Sequence, residues 1–407
     1  KESSKRMEKI IKNLRFIKMK DIFSIFQFIL AIIPAMIFKI IRKNIWLICE
    51  DENEARDNGY TFFKYMCQNK SENIDVVYAI NKKSNDYQKV KDVGKCIQYG
   101  GYIHWIYYLA AKYNISSQKG GKPNAAVCYF LEVFGILKNN RIFLQHGITI
   151  SDAKWLYYDN TKMRLFICGA QKEYEYVKEK FGYPQENVKC LGFCRFDNWH
   201  NLKINKKRIL VMPSWREWLN RKTDVYYELQ YDGQFEHSEY YKRWNSFLKN
   251  KELKEFLEKN NLELIFYPHR NVQNNLEYFN SISQNIKIAS WKEYDIQELL
   301  KNSAIMITDF SSVAMDFLYM KKPVIYYTFD INDFIKGQYA KGYFDYENNG
   351  MTYYSRDENE IVSQIKKIYQ DNFDLDEKMN KKIDEFFGIC DNNNCKRTYE
   401  AIKQIGG

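Results

Sequence analysis

Short runs of core-type residues alternate along this chain with longer stretches whose apolar positions recur at helical spacing. After an apolar segment near the start come IWLICE (45–50), VVYAI (76–80), RIFLQHG (141–147), LFICGA (165–170) and NVKCLGF (187–193). Each ends in a polar or glycine-containing turn, and amphipathic stretches such as 54–68 and 171–181 lie between them. That alternation predicts a parallel sheet covered by helices. KYNISSQKGGKP (112–123) reads as a loop, and NWHNLKINKKR (198–208) as a polar linker. The pattern then restarts with ILVMPSW (209–215), LELIFYPHR (262–270), NIKIAS (285–290), AIMITDF (304–310) and PVIYY (323–327). The expected fold is α/β, with two doubly wound domains facing a cleft. Their expected limits are 45–200 and 201–385, with an N-terminal helical segment (1–44) and a terminal helix (386–407); the polar, helical stretch from about 359 to 405 is expected to pack back on the first half. No short-period repeat points to a solenoid.

The segment IFSIFQFILAIIPAMIF (22–38) is nearly all apolar, with Lys18 and Lys20 before it and Lys39, Arg42 and Lys43 after. Seventeen residues is short for a membrane span, and Ser24, Gln27 and Pro34 weaken that reading. No small-residue cleavage site follows, which argues against a secretory signal. Basic flanks fit a helix lying on an anionic membrane surface. A helix packed on the folded body and a true span remain as alternatives.

Composition changes the picture in two places. The net charge of +11 allows nucleic acid, an anionic membrane or phosphorylated substrates as partners. No long basic run, zinc finger or RNA-recognition pattern is present, so nucleic acid is not expected. The nine cysteines form no CxxC and several sit in apolar runs, which indicates a reducing compartment.

In open α/β sheets ligands bind beyond the carboxyl ends of the strands. Those ends read QHGI (145–148), GFCRFD (192–197), PSWRE (213–217), YPHR (267–270), ASWKE (289–293) and TDFSS (308–312). His146, followed by Gly147 where a ligand can approach closely, suits a general base. His269 and Arg270 can offer donors to a phosphate, as can Ser214, Arg216, Ser290 and Trp291 in the neighbouring motifs. Ser311 and Ser312 stand at a predicted helix start, where they either cap the helix or cradle a phosphate. Asp309 would repel a phosphate and reads as loop support. Asp316, one turn into the helix, is either a polyol ligand or a solvated acid. There is no P-loop, HExxH, GxSxG or early GxGxxG, and the expected site is cationic, without metal or cofactor.

Taken in order, these motifs resemble the CDP-glycerol glycerophosphotransferase (teichoic acid polymerase) family. YDIQELLKNSAIMITDFSSVAMDFLYMKKPVIYY, ARDNGYTFFKYM (55–66), LQHG (144–147), LGFCRFDNW (191–199), PSWRE, YPHR and FDINDFIKGQYAKGYFDYENNG (329–350) carry the resemblance, over roughly 45–350. It implies a GT-B fold and transfer of glycerol phosphate or ribitol phosphate from a CDP-activated donor to a lipid-linked or polyol-phosphate acceptor, at the cytoplasmic face of the membrane. His146 then resembles the base acting on the acceptor hydroxyl. His269 with Arg270 resembles the group that stabilises the donor phosphates, Ser311 and Ser312 the pyrophosphate hydroxyls, and Arg195 belongs to a further site motif. Two departures stand out: QHGITISD lacks the family's usual Trp before HG and Thr-Pro after it, and Cys194 replaces a common proline. They point to an unusual acceptor. A GT-B glycosyltransferase using a nucleotide sugar is the competing reading.

Overall fold

The computed structural model describes residues 18–405 except 43, 70–72, 139, 201, 220–234 and 339. Residues 1–17 of the expected N-terminal segment, its flanking Lys43, and residues 406–407 of the terminal helix lie outside the described residues. Among the described residues, thirteen strands form two all-parallel sheets. The first contains β1 (Ile45–Cys49), β2 (Asp75–Ile80), β3 (Cys96–Gln98), β4 (Tyr113–Ser116), β5 (Arg141–Phe143), β6 (Leu165–Cys168) and β7 (Val188–Cys190), in the order β3-β2-β1-β4-β5-β6-β7. The second contains β8 (Asn205–Met212), β9 (Glu263–Phe266), β10 (Ile286–Ile288), β11 (Ser303–Thr308), β12 (Val324–Tyr327) and β13 (Tyr353–Ser355), in the order β10-β9-β8-β11-β12-β13. Both are doubly wound, and together they make a GT-B arrangement.

Burial of both sheet faces explains the uninterrupted apolar runs. In the first sheet Trp46, Ile48, Tyr78 and Tyr113 pack to one side, while Ile45, Leu47, Cys49 and Val77 pack to the other. In the second, Ile209, Val211, Phe266 and Ile307 face one core, and Leu210, Met212, Ile265 and Met306 the other. That last core also takes Ile148, Ile150, Phe193 and Phe196 from the first half, so the two halves share apolar packing. Asp152 N–H donates to the Ala340 carbonyl across the same junction (3.1 Å). Of the stretch expected to pack back, the helix Glu358–Gln370 stays on the second sheet through Ile361, Val362 and Ile365, whereas Asn394–Ile405 returns to the first: Ala401 and Ile402 join the core around Trp46, and Asp197 accepts from Asn394 N–H (2.8 Å) and Cys395 N–H (2.9 Å).

The order of each sheet reverses once, between β1 and β4 and between β8 and β11. Splayed connections at such a point leave a crevice. The loops after β5, β8, β9 and β11 supply most of the walls of the cleft.

Near the N-terminus a helix spans Met19–Ile41, longer than the seventeen-residue apolar core of the segment. Its length and hydropathy would suffice to cross a membrane. It lies instead along the helix Tyr102–Ala110, with Ala31 and Ala35 inward, Trp105 Nε1–H donating to Ser24 Oγ (3.2 Å), and Phe28 edge-on to Trp105. Small residues face the body, and the large ones face out: Phe23, Phe26, Ile33 and Ile40 are each more than half exposed. That is the reverse of a core helix.

Two expectations are corrected. Residues 112–123 are not all loop, because Tyr113–Ser116 is β4, at the centre of the first sheet. Its Asn114 and Ser116 are buried with their side chains hydrogen-bonded, Asn114 Nδ2 to the Tyr108 carbonyl (3.0 Å) and Ser116 Oγ to the Gln118 carbonyl (2.8 Å), which hides the strand from an apolar count. The linker is also shorter than its polar composition suggests, since β8 begins at Asn205 with three exposed polar residues.

Candidate active site

A cleft of about 200 Å³ opens between the sheets. From the first half it is lined by Gln145, His146, Gly147 and residues 148–156 in part, and from the second by Ser214, Trp215, His269, Phe310, Ser311 and Ser312. Phe334, Gln338 and Tyr346 close it from the later connection. Gly147 sits so near Ser312 that an added Cβ would stand 3.4 Å from the serine Oγ. The two halves thus meet at the histidine loop.

The loop that carries His146 is tightly determined. Gln145 has φ +60°, a left-handed conformation that costs a non-glycine residue about 1–3 kcal/mol. Its side chain holds it there: Gln145 Nε2–H donates to Glu173 Oε1 (2.7 Å), and Thr149 Oγ1–H donates to Gln145 Oε1 (3.1 Å). Glu173 also accepts from Thr149 N–H (2.6 Å) and Gly169 N–H (2.7 Å). Burial without a cation pushes the Glu173 carboxyl up to about 7. On the other side Asn58 Nδ2–H donates to the Leu144 and Gln145 carbonyls (3.3 and 2.6 Å), while Asn58 Oδ1 accepts from Arg195 N–H (3.0 Å). Glu50 positions that turn by accepting from the N–H groups of Arg56, Asp57 and Tyr60. Its carboxyl is raised to about 8 by burial and by Asp57.

His146 presents an accessible ring to the cleft while protein crowds it, so desolvation lowers its pKa. Asp57 and a hydrogen bond to the Ser117 backbone oppose that, and Arg195 adds to it. An imidazole held neutral near pH 7 can take a proton.

His269 is also solvent-accessible, and burial pushes its pKa down to about 4, with Asp309 opposing and Arg270 assisting. Its Nδ1 accepts from Asn271 N–H (3.2 Å), which leaves the proton of the neutral ring on Nε2. His269 is therefore a neutral donor toward the cleft, backed by the stacked ring of Trp215.

The remaining predicted residues divide sharply. Ser214 lines the cleft, its N–H donating to Asp309 Oδ1 (2.7 Å). Ser311 and Ser312 line it too, but the helix they open, Val313–Tyr319, has only seven residues. Ser311 Oγ accepts from Val313 N–H (3.3 Å), whereas Ser312 makes no side-chain cap. Asp309 is wholly buried, tying the Ser214 and Phe310 N–H groups together. Arg216 does not reach a ligand: fully buried, its guanidinium forks onto Asp330 (2.7 and 2.9 Å) and pairs with Asp309 (2.8 Å). Arg195 and Asp316 are likewise taken by each other. Arg195 Nη2 meets Asp316 Oδ1 and Nη1 meets Asp57 Oδ1, both at 2.7 Å, which joins the first half to the helix after β11. Asp316 is thus neither a solvated acid nor a free polyol ligand, and burial raises its carboxyl to about 6 despite Arg195.

Arg270 lies outside the cleft lining, paired with Glu54 (3.5 Å) and set over the Trp291 ring. Ser290 and Trp291 are also outside it; Ser290 Oγ accepts from Lys292 N–H (3.1 Å), and Trp291 N–H donates to Gln273 (3.1 Å). Sequence reasoning missed Asn58, Asp57, Gln145 and Glu173. The Asp-Asn-Gly at 57–59, where the helix after β1 begins, was the available signal for the first two. Nothing local marks Glu173, an ordinary-looking acid on an amphipathic helix.

The model of the CDP-glycerol:poly(glycerophosphate) glycerophosphotransferase family matches residues 32–404. The chain belongs to this family. The minor teichoic acid biosynthesis protein GgaB of Bacillus subtilis (strain 168) is 33% identical over 99% of this chain, which spans 43% of that relative's length. The teichoic acid poly(glycerol phosphate) polymerase of Bacillus spizizenii is 23% identical over 93% of this chain and 98% of its own. The structure of the wall teichoic acid polymerase TagF superimposes with a TM-score of 0.64 at 16% identity, covering 96% of this chain and 99% of that one, so the fold is shared. Family membership covers both sheets and the cleft between them.

Proposed function

We propose that the chain transfers a polyol phosphate unit, glycerol phosphate in the first instance, from a CDP-activated donor to an acceptor hydroxyl, with release of CMP. The observation that carries this reading is the single cleft that collects His146 from one half with His269, Ser214, Ser311 and Ser312 from the other, in a member of this family. Attack of a hydroxyl on a phosphate needs positioning and charge stabilisation more than covalent help. The neutral His146 takes the acceptor proton as the oxygen–phosphorus bond forms. The phosphoanhydride breaks on the far side, and the leaving CMP phosphate accepts hydrogen bonds from His269 Nε2–H and the serine hydroxyls. The acceptor enters along the first-half wall.

The acceptor is proposed to be a lipid-linked or polyol-phosphate chain, reached at the cytoplasmic face of the membrane. In this reading the helix Met19–Ile41 lies in the interface, because its outward residues are large and apolar and its inward ones are docked on the body. Lysine substitutions at Phe26 and Ile33 are expected to abolish flotation with anionic vesicles and leave the fold intact.

Incubation with CDP-glycerol, CDP-ribitol and a panel of nucleotide sugars tests the chemistry. CMP release from CDP-glycerol supports the proposal, CMP release from CDP-ribitol alone moves the donor, and nucleoside diphosphate release from a nucleotide sugar replaces the reaction with glycosyl transfer. His146→Ala is expected to lower turnover by about 10²–10⁴ with donor affinity retained. Because the His146 pKa lies below its ordinary 6.5, the acid limb of the rate profile should also fall below that pH.

A further inference from the structure

A second cavity, of about 500 Å³, lies at the other end of the first sheet. Arg141 opens β5, Arg164 stands just before β6, and Asn187 just before β7, so this cavity is at the amino ends of strands whose carboxyl ends face the cleft. From Arg141 to His146 the chain advances five residues, about 15 Å if extended. The two sites are separate.

Its lining is cationic. Lys138, Arg141, Lys162 and Arg164 face a single lining carboxylate, Glu132. That carboxylate is already held by the buried Lys122 Nζ (2.5 Å) and by the Tyr108 hydroxyl. Arg141 is 2% exposed, and its Nη2–H donates to the Lys119 carbonyl (3.2 Å). The other amino group, Nη1, lies 3.8 Å from Glu132 and has no hydrogen-bond partner among the described residues. Arg164 is steadied by donating to Asn187 Oδ1 (2.8 Å), and Lys162 by Asp159 (2.5 Å) at the rim. Arg141, ion-paired with Glu132, two further cations at the rim and one in the wall leave the pocket with an excess of positive charge that suits an anion. Its volume falls in the range of small-ligand pockets, about 300–1,000 Å³.

The surroundings narrow the ligand. Leu137 lines the cavity and also packs on the core that contains Ala31 and Ala35 of the outward-apolar helix. Phe130 and Ile136, on the same helix-and-turn connection, are exposed. A cationic cavity with polar walls suits a phosphodiester on a short polyol, and the apolar surface beside it would meet the acyl chains of a lipid that carries one. We propose that this cavity is a second anion site that takes a polyol phosphodiester, chemistry found both in an anionic glycerolipid headgroup and in a soluble polyol-phosphate chain. The site holds that phosphodiester away from the reacting centre.

The proposal does not depend on the reaction assigned to the cleft, because binding is measured on the full chain without a nucleotide donor. One arm titrates glycerophosphoglycerol by calorimetry; the other floats the protein with phosphatidylglycerol or phosphatidylcholine vesicles. The charge reversals K138E/K162E, both at the rim, and R164Q serve as variants, each accepted only with an unchanged melting temperature. A tenfold or greater loss of glycerophosphoglycerol affinity supports the site with a soluble ligand. A tenfold loss confined to phosphatidylglycerol vesicles supports it with a lipid headgroup. Unchanged binding in both arms, or an equal loss on phosphatidylcholine, overturns it.

Discussion

The loop that carries His146 and the loops that carry Ser214, Ser311 and Ser312 stand at equivalent ends of equivalent sheets, yet they are held by opposite means. The second-half loops are tied by charge: one buried arginine, Arg216, between Asp309 and Asp330. The first-half loop is tied by neutral donors to a carboxyl, Glu173, whose partners are two backbone N–H groups and an amide. A buried ion pair is unforgiving, since removing one partner leaves the other charged and dry. A buried carboxyl held by neutral groups can instead take up a proton, so the geometry around His146 is tied to pH in a way that the serine loops are not built to be.

The comparison breaks most severely at Arg216. Arg216→Met leaves two buried carboxylates facing an apolar side chain, and is expected to cost about 3–5 kcal/mol, read as a lowered denaturant midpoint or loss of soluble protein. A midpoint unchanged from wild type would show that the triad carries no strain on removal.

Next comes the pH dependence of Glu173. Its folded pKa of about 7 lies above the ordinary 4.5, so the folded state holds a proton that the unfolded state has released. The corresponding stability is complete below about 4.5 and is lost as pH rises through about 7, a change of roughly 3 kcal/mol. Glu173→Gln should flatten that slope when unfolding is followed between pH 4.5 and 8; an unaltered slope would place the titration elsewhere.

Asn58→Ala is expected to be milder, about 2 kcal/mol, because it strips two carbonyls of a donor and the Arg195 N–H of an acceptor. Its signature is kinetic: turnover should fall while the donor KM holds, since the His146 loop is released and the serine loops of the second half are not touched. A rise in donor KM with constant turnover would contradict that division of the site.

Arg270→Ala should be the smallest change. Its pairing with Glu54 is exposed on both sides, so stability should shift by no more than about 0.5 kcal/mol. The donor KM should stay within threefold of wild type, and a tenfold rise would return Arg270 to the donor site.

Much of the site was legible as position along the chain. The strand-end motifs containing His146, His269, Ser214 and Ser311–Ser312 could be found because buried parallel strands leave apolar runs that stop where ligands bind. What each polar residue does was not legible. Arg216 looked like a phosphate ligand and Arg195 like a further site residue, because an arginine in a strand-end motif has the same letters whether it faces a ligand or a carboxylate. Asp316 read as either a polyol ligand or a solvated acid because its partner, Arg195, is 121 residues away. The strand β4 escaped for a related reason, since its polar side chains are satisfied by local backbone groups that composition does not reveal.

By itself, then, the order of apolar runs and turn residues determined two doubly wound parallel sheets, an apolar helix near the N-terminus and the ends of strands at which chemistry gathers. Periodicity and burial are local properties, and they are written locally. Only the tertiary structure decided which cations are free and which are neutralised, which carboxyls keep a proton, and that a second set of cations surrounds a cavity at the far end of the first sheet. Those outcomes depend on desolvation and on charges brought together across long stretches of chain, and neither exists until the sheets have packed.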